Sequence, residues 1–217
     1  MPAAAAPRAP GRDCPLCPRL VDYRLANRAA HPDWHNAPVA SFGPLGARLL
    51  ILGLAPGMKG ANRTGRPFTG DAAGVWLYRA LGEAGFARGR FEARADDSLR
   101  LVDCRIANAV RCVPPANKPL PAEIAACRRF LQAELKAMRR LKVVLALGQI
   151  AHGALLGSLD LKASAYRFAH GAKYALPDGT WLIDSYHCSR QNTNTGRLTE
   201  PMFRAVFEDA RALLDRG

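Results

Sequence analysis

The sequence predicts an α/β fold, a parallel sheet of four strands with helices on both faces. Three observations predict it. Two apolar runs of strand length, RLLILGL (Arg48 to Leu54) and KVVLALG (Lys142 to Gly148), each end at glycine, as strands buried on both faces do. Helical repeats alternate with the strands along the chain. Three long polar loops begin where strands end.

The elements follow in order. Residues 1–12, MPAAAAPRAPGR, are small, Pro-rich and basic, so a disordered tail is expected ahead of a single domain over 13–217. CPLCPRL then brings Cys14 and Cys17 in C-x-x-C spacing. The first strand, Arg48 to Leu54, runs into the loop Gly53 to Gly70. Asp71 stands at the N-cap of a helix whose repeat places Val75, Tyr78 and Leu81 together. Residues 88–100, RGRFEARADDSLR, read as an exposed charged excursion. CRIANAVRC alternates as a strand and is broken by VPPANKPLP. A helix from Pro121 carries an apolar stripe of Ile124, Cys127, Leu131, Leu135 and Met138. The second apolar strand leads to a short helix from Gln149. TWLIDSY is a further strand, followed by HCSRQNTNTGRLT and an amphipathic helix from Glu200 to Leu214. In such sheets ligands bind outside the strand C-termini, where the loops Gly53 to Gly70, Pro114 to Pro119 and His187 to Arg197 lie.

Composition narrows the partners. The chain has 217 residues, with 31 Lys+Arg against 18 Asp+Glu, a formal net charge of +13. That excess favours nucleic acid or another anionic surface. No apolar run reaches the length of a membrane span, and the N-terminus lacks the apolar core of a secretion signal. A cytoplasmic protein is expected, associated with the nucleoid in a prokaryote.

The Gly-rich loop fails two familiar tests. A P-loop needs glycine at position 58, which is Met58, and Ser or Thr after Lys59, where Gly60 stands. A dinucleotide fingerprint needs one residue between its first two glycines, and Leu54, Ala55 and Pro56 intervene. Six cysteines occur, and Cys112 and Cys127 are separated by fourteen residues. With Cys14 and Cys17 they form a set suited to zinc or an iron–sulfur cluster. Cys104 is left over, and Cys188 lies inside the third loop. His187 directly follows a strand end, where a neutral imidazole can donate to a developing anion.

GLAPGMKGANRTGRPFTGD, AVRCVPPANKP and HCSRQNTNTGRLT together resemble the uracil-DNA glycosylase superfamily, specifically its family 5. The resemblance runs from Cys14 to the final helix. It implies a three-layer α/β/α sandwich and a [4Fe–4S] cluster on Cys14, Cys17, Cys112 and Cys127. It implies a flipped nucleobase approached by the first loop: Gly53, Ala55, Gly57, Gly70, and Phe68 for stacking. Asn117 is expected to pair with the base edge, with Asn108 as a second candidate. Asp71 would orient the attacking water or stabilise the cationic sugar. His187 would stabilise the departing base, and Ser189 and Arg190 would engage the DNA. No lysine stands out as a Schiff-base nucleophile, so a monofunctional hydrolase is expected, acting as a monomer on duplex DNA and also on single strands. Two departures stand out. Ala55 replaces a polar residue of related families, which implies a roomier pocket that admits hypoxanthine as well as uracil. Cys188 replaces the proline of a His-Pro-Ser motif. The reading set against this one is a non-catalytic iron–sulfur DNA-binding or sensing module.

Overall fold

A computed structural model describes residues 9–216. The elements are α1 (Pro18–Ala30), β1 (Leu49–Gly53), α2 (Ala61–Thr64), α3 (Ala72–Glu83), β2 (Ala87–Arg88), β3 (Arg100–Leu101) and β4 (Cys104–Asn108). They continue as α4 (Pro121–Ala137), β5 (Val143–Leu147), α5 (Gln149–Ser158), β6 (Lys173–Ala175), β7 (Trp181–Ser185), α6 (Arg190–Asn194) and α7 (Glu200–Asp215).

The main sheet runs β4-β1-β5-β7-β6. Its first four strands are parallel, as expected, and β6 adds a fifth, antiparallel to β7. The extra strand is half of a hairpin closed by the Asp178 side chain, which accepts from the Thr180 N–H at 3.0 Å. Strand alternation sorts the core into two layers. Leu49, Ile51, Val143 and Leu145 pack with Leu77 and Leu81 of α3 and Phe203 and Phe207 of α7. Leu50, Leu52, Val144 and Ala146 face the other way, onto Leu131 of α4 and Leu155 of α5. This is the three-layer sandwich. From β1 the chain moves outward to β4, then returns across β1 to β5. The order reverses at β1, so its C-terminal end opens the ligand crevice.

Three local expectations change. β4 ends at Asn108 rather than at Cys112, although the N–H groups of Ala109 and Val110 still bond to the carbonyls of Gly53 and Leu54. Beyond β4 the Arg111 guanidinium bonds to Ser41 and Glu134. Residues 88–100 are not simply a solvated excursion. They carry the β2–β3 hairpin, and Asp97 is buried in a forked ion pair with Arg66, both bonds 2.7 Å. Of the N-terminal stretch, residues 1–8 lie outside the described residues, while the Arg12 carbonyl accepts from Arg28 at 3.0 Å. Among the described residues no helix is long and apolar enough to cross a membrane.

Candidate active site and cysteine pocket

The site begins at the ends of two paired strands. Gly53, last in β1, pairs with Asn108, last in β4. A Cβ at Gly53 would lie 2.4 Å from Asn108 Oδ1 and 2.7 Å from the Phe68 ring, so only glycine lets the three meet. Asn108 is buried, and its Oδ1 has no hydrogen-bond partner among the described residues. A buried amide left unpaired costs about 1–3 kcal/mol, which favours a ligand that supplies the partner.

Phe68 is held in a strained backbone conformation, φ +51°. The bonds that enforce it are local. Tyr78 donates its hydroxyl to the Pro67 carbonyl at 2.7 Å, and Thr64 donates to the Thr69 carbonyl at 2.9 Å. Arg66 donates to Thr69 Oγ1 at 2.9 Å and is itself fixed by Asp97. The Phe68 ring lies against His187, centroids 5.9 Å apart and planes 28° apart.

Asp71 does two things. Its Oδ1 accepts from the Gly74 N–H at 3.1 Å and caps α3. Its Oδ2 faces Gly57 and Gly60, where added Cβ atoms would come within 3.0 and 2.2 Å of it. Gly70, just before the cap, has φ +98°. Burial lowers the His187 pKa below its ordinary value, and the Asp71 charge opposes this only partly. The imidazole is therefore neutral at pH 7. The His187 carbonyl accepts from Asn192 at 2.8 Å, and the buried Cys188 thiol donates to the Ala73 carbonyl at 3.4 Å. Cys188 thus ties the third loop to the first turn of α3, in place of the stiffness proline would give.

The four cysteines singled out by spacing converge. Cys14, Cys17, Cys112 and Cys127 line one pocket with Leu20, Val110 and Phe130. Burial pushes the thiol of Cys17 up to about 11 and that of Cys112 up to about 12. Cys127 Sγ accepts from the Arg111 N–H at 3.4 Å. Among the described residues no three His, Cys, Asp or Glu side chains stand close enough to hold a single metal ion. Cys104, the surplus cysteine, is buried beneath the sheet's other face.

The sequence matches the model of the Uracil DNA glycosylase superfamily over residues 40–211. The chain belongs to this superfamily. It is 50% identical over 206 residues to the type-5 uracil-DNA glycosylase of Thermus thermophilus, covering 92% of this chain and 93% of that one. It is 41% identical to the type-5 enzyme of Mycobacterium leprae, covering 92% and 91%. A type-4 uracil-DNA glycosylase of Thermotoga maritima is 37% identical over 88% of this chain and 89% of its own.

As a glycosylase-superfamily site, this one divides into residues the fold gathers and residues it does not. Gly53, Phe68, Asn108 and His187 form one contiguous group, and Gly57 and Asp71 another beside it. Asn117 stands apart: it is exposed at the end of a 3₁₀ turn, with φ +55°, after Ala116 at +52°. Ala55 packs toward the cysteine pocket rather than into the Asn108 group. Ser189 is the N-cap residue of α6 and makes no capping bond with its side chain, and Arg190 is exposed. Sequence reasoning missed one wall. Gly148, Gln149 and Ile150 join Leu54, Tyr186 and His187 around a cleft of about 450 Å³. The available signal was the glycine closing the strand KVVLALG, which has φ +98° and starts α5.

Proposed function

We propose that this chain is a monofunctional uracil-DNA glycosylase. It hydrolyses the N-glycosidic bond of uracil in DNA and leaves an abasic site. The observation that carries the reading is the buried, unpartnered amide of Asn108 beside the Phe68 ring, at the reversal point of a glycosylase-superfamily sheet. An amide offers an acceptor and a donor side by side, which matches the N3–H and O4 of uracil.

The reaction requires the target nucleotide to leave the stack. The +13 charge draws the phosphate backbone in, largely independent of sequence. The flipped base meets Phe68 and Asn108. As the C1′–N1 bond breaks, its electron pair passes into the base, and neutral His187 donates its ring N–H to the base oxygen that gains charge. Asp71, whose Oδ2 faces Gly57 and Gly60, stabilises the cationic sugar or orients the attacking water and accepts its proton. Asn117 closes on the base edge when DNA binds, and Ser189 and Arg190 grip the strand. The resemblance to family 5, rather than Ala55, which packs toward the cysteine pocket, includes hypoxanthine among the substrates, and single strands are substrates too. We assign the protein as a monomer that works in the cytoplasm, on the nucleoid in a prokaryotic host.

The cysteine pocket fits a [4Fe–4S] cluster held by Cys14, Cys17, Cys112 and Cys127. Four thiols around one apolar space suit a cluster, as the resemblance to family 5 implies, and an N–H donor to Cys127 suits a thiolate ligand. The cluster would cross-link the start of α1, the loop after β4 and α4, a folding role, since glycosidic hydrolysis transfers no net electrons.

Asn108→Ala tests the reading. Single-turnover release of uracil from a U·G duplex should fall about 10²–10³-fold, the range for losing one positioned donor. Binding to undamaged duplex should stay within twofold or so, because phosphate contacts dominate it. Undiminished release would contradict it.

A further inference from the structure

Among the described residues Arg24 is one of three buried arginines, 3% exposed beside Arg66 at 4% and Arg111 at 2%. The other two have carboxylate partners: Asp97 lies 2.7 Å from Arg66, and Glu134 lies 3.1 Å from Arg111. Arg24 has none within ion-pair reach among the described residues. Asp13, next to Cys14 in sequence, pairs with Arg28 at 2.6 Å instead. The Arg24 guanidinium points into the cysteine pocket, which it helps to line. Its Nη1 donates to Cys112 Sγ at 3.8 Å and its Nη2 to the Cys14 carbonyl at 3.1 Å. Its Nε is buried with no partner among the described residues.

A guanidinium buried without an opposite charge is one of the costlier arrangements in a protein. Four neutral thiols do not offset it. Four thiolates around an iron–sulfur core do, because the ligated cluster carries net negative charge. We infer that Arg24 is the built-in counter-ion of the cluster, holding its charge inside the pocket and setting its reduction potential. The inference rests on the cluster assignment above and adds to it a residue outside the ligand set. Adding an electron makes the cluster more negative, and a fixed cation beside it favours that step. Arg24 therefore raises the potential and slows iron loss.

The test compares purified wild-type protein with Arg24→Gln, Arg24→Lys and Arg28→Gln. Iron per chain, the rate of iron loss to a chelator and the reduction potential by protein-film voltammetry are read for each. Arg24→Gln should lose iron about 10–100-fold faster, the range for groups that support metal ligands, and its potential should move to more negative values. Arg24→Lys keeps the charge and should keep the wild-type potential, while losing iron faster because the forked contacts are gone. Arg28→Gln, on the same helix but paired with Asp13, should match wild type in potential. Wild-type iron retention and potential in Arg24→Gln would overturn the inference and leave the cluster assignment standing. So would an equal shift in Arg28→Gln. Wild-type protein that purifies without iron would overturn the cluster assignment itself.

Discussion

His187 shows how one side chain links burial to chemistry. Its pKa is depressed by burial, so the unfolded chain takes up the proton first as pH falls. The stability carried by the neutral imidazole is complete above the ordinary histidine value of about 6.5 and is lost as pH drops below it. Single-turnover base release should stay flat from neutral pH to below about 6.5 and then decline. His187→Ala should remove that decline and lower the plateau about 10–10³-fold. A wild-type rate that already falls between pH 8 and 7 would contradict a neutral histidine. Asn117→Ala should slow base release by about tenfold or more. Its melting temperature should fall by no more than a few degrees, since the exposed Asn117 side chain has no partner among the described residues and only its left-handed backbone, φ +55°, disfavours alanine. Arg190→Ala should instead weaken DNA binding and reduce the salt slope by about 1. Much of this scale was legible in the sequence. Asp71 at a helix start and His187 after a strand could be read directly. The convergence of Asn108 and Phe68 on Gly53 could not, because it depends on the register between β1 and β4.

At the scale of elements, the Arg66–Asp97 pair anchors the β2–β3 segment to the loop that carries Phe68. Hydrogen bonds from Arg66, backed by the N–H groups of Glu92 and Leu99, hold the Asp97 carboxyl down to about 2. A depressed carboxylate contributes stability above its unfolded value near 3.8 and loses it as pH falls through about 2. Acid titration followed by circular dichroism should show roughly 2 kcal/mol of this pair's contribution lost across that window, and Asp97→Asn should remove that share of the dependence, leaving the part carried by Glu123. Because breaking a buried pair strands the other charge, Asp97→Asn should also cost about 3–5 kcal/mol at pH 7. The sequence hid this element, since a run of seven charged residues in thirteen looks solvated. It hid α1 for the same reason. That helix buries Arg24 and Asn27 beside Leu20, and docks through Arg19 on Glu123 at 2.8 Å rather than through an apolar stripe. The strands β1 and β5 were plain because burial on both faces leaves five consecutive apolar or glycine positions. Among the cysteines, Cys112→Ala and Cys127→Ala should each remove iron and destabilise the fold, while Cys104→Ala and Cys188→Ala should leave the iron content intact.

For the whole molecule, the topology places every loop of interest at one edge of the sheet, and the charge brings DNA to it. Base flipping sets the substrate order. Unstacking costs a few kcal/mol and least at a mismatch, so uracil opposite guanine should react faster than uracil opposite adenine. Hypoxanthine opposite thymine should react as well. The fold class and the three loops were readable because strand–helix alternation leaves a strong trace in the chain. The cleft wall at Gly148 to Ile150 was not, because its residues carry no charge and no motif. The most direct measurement takes wild-type protein and a duplex with one uracil opposite guanine. Free uracil is quantified beside strand cleavage, with and without alkali. The expected result is uracil released in step with abasic sites that break only after alkali. A duplex bound tightly, with its uracil still attached, would contradict the enzyme and favour a DNA-binding module.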